Sequence, residues 1–266
     1  MEMSFDRGDA IARGEMTYAR ARAVLGYNSA VGSNQLDDVT EIGDIVTKYP
    51  GGILGDTAVA VEIQSTSAND TAAGSGARTV MVHGLDENWQ ETEYLVSMDG
   101  LTSVAVPGLW ARVNNIHVMA VGGNALGVAE GDITCENVGN TEVYRKVAAG
   151  GNMDLGCTYT IPAIMADGTP VSWGYMVAWS AGCISSTVAT IDRAILRATC
   201  DYFDRGLIPG VFHFQDIISG KANGEYRRFA LPKRVPPKCD IKVSAQQTQG
   251  AGVTEASASI EVYFER

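Results

Sequence analysis

Basic residues are scarce in this 266-residue chain: 20 Lys and Arg stand against 31 Asp and Glu, leaving a net charge of −11. Phosphate backbones are bound chiefly through Lys and Arg, so this balance argues against direct contact with DNA or RNA. Histidine is scarcer still. His83, His117 and His213 have no second His and no Cys at i+2 or i+4, so no metal site is expected. The five cysteines (Cys135, Cys157, Cys183, Cys200 and Cys239) stand singly, too far apart in sequence for a zinc knuckle or a redox CxxC pair, and read as buried free thiols. No apolar run reaches bilayer length, because Gly or charge interrupts each one. The opening MEMSFDRGDAIARGEM carries acids and no apolar h-region. Neither a membrane span nor a secretory leader is expected, which implies synthesis in a reducing cytoplasm.

Recognisable reaction signatures are missing as well. There is no G-x-S-x-G elbow, and Gly122-Gly123-Asn124 has neither a phosphate-loop Lys nor a following helix. Carboxylates are plentiful at Asp86, Glu87, Glu91, Glu93 and Asp99, but excess surface charge explains them better than a paired acid and base. The expectation is therefore a protein without catalytic residues, cofactor or metal.

What the chain does have is 30 glycines, 45% hydrophobic residues and only 19% charged ones, a composition suited to an ordered core with many tight turns. The one helical pattern spans Ile11 to Leu25, where Ile11, Tyr18, Val24 and Leu25 fall loosely on one face, and Gly26 ends it. It reads as a short N-terminal arm able to pack at home or dock on a neighbour. A polar, Gly-rich stretch follows, with Asp37, Asp38, Glu41 and Asp44 read as a solvated linker.

From Thr57 the period changes to two. Strands are expected from Thr57 to Ser65, Arg78 to His83, Glu91 to Met98, Leu101 to Val106 and Ala111 to Val121, with a short one in Gly131 to Glu136. The polar run Ser67 to Gly76 reads as a solvent-facing loop. Asp99-Gly100 is a strong type I′ hairpin signal, so Leu101 to Val106 should pair back on the preceding strand. A second set of strands runs from Glu142 to Phe264. Its last member alternates cleanly, with Thr254, Ala256, Ala258, Ile260, Val262 and Phe264 on one face, and is expected beside the strand containing Asp240 to Val243. Pro232, Pro236 and Pro237 keep their segment at an edge or in a loop.

The fold class that follows is all-β, with two antiparallel sandwich or jelly-roll-like domains after a short helical arm and linker: residues 1–56, 57–140 and 141–266. Trp173, Tyr175 and Trp179, at strand spacings of two and four, should share one face. That stripe is an interface or core candidate, and alternatively the stacking platform of a carbohydrate-binding module or glycan hydrolase.

The run SANDTAAGSGARTVMVHGLDENWQETEYLVSMDGLTSVAV resembles a module of structural proteins from tailed bacteriophages. The likeness rests on Gly76, Ala77, Thr79 and Val80, on Gly84-Leu85-Asp86, on Glu91 to Val96, and on Gly100, Thr102 and Val104. Tyr159 to Pro162 and Pro236 to Val243 fit as well, whereas Tyr202 to Pro209 is longer and more irregular than the pattern. The resemblance implies a non-enzymatic virion component, made in the host cytoplasm. Its partners would be further copies of itself, in a ring or trimer, and other virion proteins. It would sit in the tail or its attachment region, or on the capsid as decoration or cement.

Overall fold

The computed structural model describes residues 19–32, 35–55, 57–185, 190–201, 206–219, 224–249 and 254–265. Ile11 and Tyr18 of the expected arm lie outside them. The chain runs through β1 (Ala19–Val31), β2 (Asp37–Asp38), β3 (Val59–Ser65), β4 (Ala77–Asp86), β5 (Glu91–Ser97), β6 (Val104–Val121), β7 (Ile133–Asn137) and β8 (Val143–Val147). It continues through β9 (Thr158–Thr160), β10 (Trp173–Ser185), β11 (Thr190–Ala198), β12 (His213–Ser219), β13 (Glu225–Val235), β14 (Asp240–Gln249) and β15 (Thr254–Glu265). The protein is all-β and antiparallel, as its sequence patterning requires. Among the described residues there is no helix, and hence none able to cross a membrane.

The described part of the expected helical arm is not helical. Val24 and Leu25 belong to a strand, β1, which pairs with β15. The segment ARARAV has a period of two as well as a loose helical stripe, and an open sheet edge settles the competition in favour of the strand.

Two compact units are present: one is residues 38–158 with 26–28, and the other is the remainder of the chain. In the first, six strands form one sheet in the order β5-β4-β6-β3-β7-β8. It encloses a core of Val61, Ile63, Val80, Val82, Val113, Ile116, Ile133 and Val147. Sequence spacing groups β8 with the later strands, whereas in the structure it pairs with β7 through Cys135 and Arg145, and this unit continues past residue 140 to Thr158.

Asp99-Gly100 does turn the chain, with Gly100 at φ 61°, but Asp99 has no positive φ, so the turn is not the expected type I′. The strand that follows does not return to β5, however. Gly100 N donates to Asp70 O at 2.7 Å, and its carbonyl accepts from Ser65 N at 3.0 Å. These bonds hand the chain to β3, where Val104 and Val106 pair with Ile63 and Val61. The two expected strands on either side of Pro107-Gly108 are one, β6, whose later half pairs with β4. The hairpin that does form is β4-β5, and Asp86 Oδ1 closes its turn by accepting from Asn88 N (2.8 Å) and Gln90 N (2.9 Å).

In the other unit, β1-β15-β10-β13 form one sheet and β12-β11-β14-β2 a second, with β9 on β14. β15 alternates as expected: Ala256, Ala258, Ile260, Val262 and Phe264 are buried. It lies between β1 and β10, and not beside β14, which belongs to the second sheet. β13, which carries Pro232, is an edge strand of the first sheet.

Candidate functional site

The aromatic stripe on β10 is divided by a β-bulge between Met176 and Ala178. One extra residue reverses the facing of everything beyond it. Trp173 and Tyr175 are opposite Glu265 and Tyr263 of β15, whereas Trp179 is opposite Ile260, on the core side. Trp179 is fully buried, and its Nε1 donates to Asp216 Oδ2 at 2.9 Å. Trp173 is half-buried beneath the Arg234 guanidinium, 3.6 Å from its ring centre, and Tyr175 stacks on Tyr263 at 4.7 Å. The three rings do not share a face, so they form no continuous platform for a sugar. Spacing alone could not reveal the bulge.

The most elaborate polar arrangements are in the first unit, and periodicity missed them. Asp70 belongs to the run read as a solvent-facing loop, yet it is completely buried. Its Oδ1 accepts from Ala77 N (2.6 Å) and Glu130 N (3.0 Å), and its Oδ2 from Ser65 Oγ (2.6 Å) and Gly131 N (2.9 Å). One carboxylate thereby ties the end of β3, the start of β4 and the loop before β7. A carboxylate withstands burial when several N–H and O–H groups replace its water. The loop Ser67 to Gly76 is otherwise exposed or half-buried, apart from the buried Gly76.

Arg112 of β6 is also buried. Its guanidinium lies between the rings of Tyr49 (4.7 Å) and Trp89 (4.9 Å), and donates to Ala111 O at 2.7 Å and Ile53 O at 3.2 Å. The segment expected to be a solvated linker is therefore part of the folded unit from Asp38 onward. Val39, Ile42 and Tyr49 are buried, and Asp38 Oδ2 accepts from Thr47 N at 2.9 Å. Asp37 is buried too, receiving Gly32 N at 2.5 Å.

A second buried cation, Arg145 of β8, reaches Val113 O on β6 through Nε (2.8 Å) and Thr158 O through Nη2 (3.3 Å). Its Nη1 is 3.6 Å from Asp154 Oδ2, and both side chains are almost fully buried. Burial pushes the Asp154 carboxyl up to about 6, against the opposing pull of the Arg145 charge. Each of these charged groups fastens loop to strand.

On the outer face of β4 and β6, His83 and His117 stack with ring centres 4.9 Å apart, and His83 Nδ1 is 3.3 Å from Glu93 Oε2 on β5. Partial burial holds the His117 imidazolium below its ordinary range. Stacked rings direct their nitrogens outward in roughly parallel planes and do not converge on one point. Among the described residues no group of three or more His, Cys, Asp or Glu could hold a metal ion.

Charge is unevenly distributed between the units. Residues 38–158 contain 16 acidic and 5 basic side chains, a balance equal to that of the whole protein, whereas residues 159–266 contain 10 acidic and 11 basic ones. Within the latter, Arg227, Arg228, Lys233 and Arg234 all fall on the edge strand β13. Arg228 and Arg234 are exposed there, while Arg227 pairs with Glu225 (2.6 Å) and Asp216 (3.2 Å).

No protein-family model and no curated protein matches this chain. Among solved structures it is similar to the infectious bursal disease virus Gt strain structure at 11% identity, covering 94% of this chain and 77% of that one, with a TM-score of 0.22. It is likewise similar to the VP2 subviral particle of infectious bursal disease virus, at 12% identity, 93% and 72% coverage and a TM-score of 0.22. Superposition this poor bears on neither topology nor activity.

Proposed function

We propose that this protein is a non-enzymatic structural component of a virion, built to associate with further copies of itself. The observation that carries the reading is the division of charge: a compact unit holding the whole negative balance, and a second, near-neutral one with a basic edge strand. Such a chain attracts its own copies head to tail, and a heterologous contact of that kind closes into a ring when its rotation allows. The buried staples at Asp70, Arg112 and Arg145 support the same role, because a component used in many copies needs loops of fixed shape. The sequence resemblance to tailed-phage structural proteins directs the proposal to the tail or its attachment region, with capsid decoration as the other placement. A glycan-binding or glycan-cleaving role loses its platform, since Trp179 is in the core.

Sedimentation of the purified full chain tests this. A closed oligomer of one copy number is expected at low salt, dissociating as salt screens the contact. A monomer at every concentration and ionic strength would defeat the proposal, and so would turnover of a glycan substrate.

A further inference from the structure

We propose that Cys200 and Cys239 are a cross-strand pair that closes to a disulfide under oxidising conditions. The register of β11 and β14 brings them together. Arg197 pairs with Lys242 and Ala198 with Ile241, and one residue on, Thr199 N donates to Asp240 O at 2.9 Å. Asp240 N returns a bond to Thr199 Oγ1 at 2.8 Å. The paired register ends at Ala198 and Ile241, and Thr199 keeps one backbone bond to Asp240 beyond it. Continued one step further, the same register sets Cys200 opposite Cys239 at a non-hydrogen-bonded position, where Cα atoms approach to about 4.5 Å and side chains are closest. That separation lies at the short end of the range a disulfide spans.

The surroundings agree with the register. Both cysteines are buried, and their thiols are within hydrogen-bonding reach of each other. Thr199 Oγ1 approaches Cys239 Sγ at 3.8 Å, and Gln215 Nε2 of β12 approaches Cys200 Sγ at the same distance. Burial and the neighbouring thiol keep Cys239 well above the ordinary thiol range, so the pair is inert in a reducing cytoplasm and closes slowly elsewhere.

With oxidised glutathione as the oxidant, one cysteine thiolate attacks the glutathione disulfide and releases one reduced glutathione. The second cysteine thiolate attacks the mixed disulfide, forms the Cys200–Cys239 bond and releases the other. Two thiol protons are lost, and the glutathione disulfide accepts the two electrons. The bond would close the loop that contains β12 and the basic strand β13, independently of where the protein works.

The test is to hold the full chain in a glutathione redox buffer a few degrees below its melting temperature, then quench with acid and analyse non-reduced peptides by mass spectrometry. The expected result is a linked peptide pair containing Cys200 and Cys239, with a melting temperature raised by roughly 5 °C or more. Both effects should vanish in Cys200→Ser and in Cys239→Ser, while a Cys135→Ser control retains them. Persistence of both free thiols, glutathione adducts that never resolve into the pair, or a dominant linkage involving any other cysteine would each overturn the proposal.

Discussion

At the scale of single residues, stability in the first unit depends on a few buried charges whose positions no local pattern discloses. Asp70 is one of many polar residues between two strands, and only the fold shows that four donors converge on it. Replacing it with Ala leaves those donors without a partner in a dry site, and should destabilise the protein by about 3 kcal/mol or more, measured as a shift in urea midpoint. Asp154 gives a pH prediction. Its carboxyl is raised in the folded state, so the folded protein binds that proton more tightly than the unfolded chain. The contribution of this group therefore becomes more favourable as pH falls from about 6 towards the ordinary carboxylate range near 4, and is lost as pH rises through that window. The full difference is on the order of 3 kcal/mol. Comparing urea midpoints of wild type and Asp154→Asn from pH 7 to pH 4 isolates it: the wild type should gain relative to the variant on acidification. A constant difference across the range would rule this out.

At the scale of elements, strand positions were largely legible and strand partners were not. Period-two alternation identified nearly every strand, and the buried row of β15 follows its sequence residue by residue. Pairing depends on contacts between distant segments. The bonds of Gly100 to Ser65 and Asp70 direct β6 to β3, and the turn residues contain no record of them. The bulge in β10 is equally silent in sequence, and it decides the fate of the aromatic set. Trp179→Ala should cost about 3–5 kcal/mol as a core truncation. Trp173→Ala, which loses a cation–π contact at a half-buried site, should cost about 1 kcal/mol. Equal and small costs would show Trp179 to be outside the core. Close approach of β4 to β6 explains Gly84: a Cβ there would be 2.1 Å from the Arg112 carbonyl oxygen. Gly84→Ala should reduce stability by roughly 1–3 kcal/mol, as overpacking does, readable in the same urea titration.

At the scale of the whole molecule, net charge says little until it is divided between units. A balance of −11 spread evenly would signify solubility alone. Its confinement to residues 38–158, with Arg228 and Arg234 exposed on β13, gives the two units unlike charge. Reversing both charges, in Arg228→Glu with Arg234→Glu, should leave the fold intact by circular dichroism and weaken self-association at least about tenfold at low salt. Truncation beyond residue 18 should destabilise the fold, seen as a lowered urea midpoint, because β1 begins at Ala19 and pairs with β15. The most direct measurement for the central claim is imaging of virus particles purified from cells that express this chain. The protein is expected at symmetry-related positions and at a fixed copy number in every particle, with its two β units recognisable in density. Absence of the chain from purified particles would contradict it.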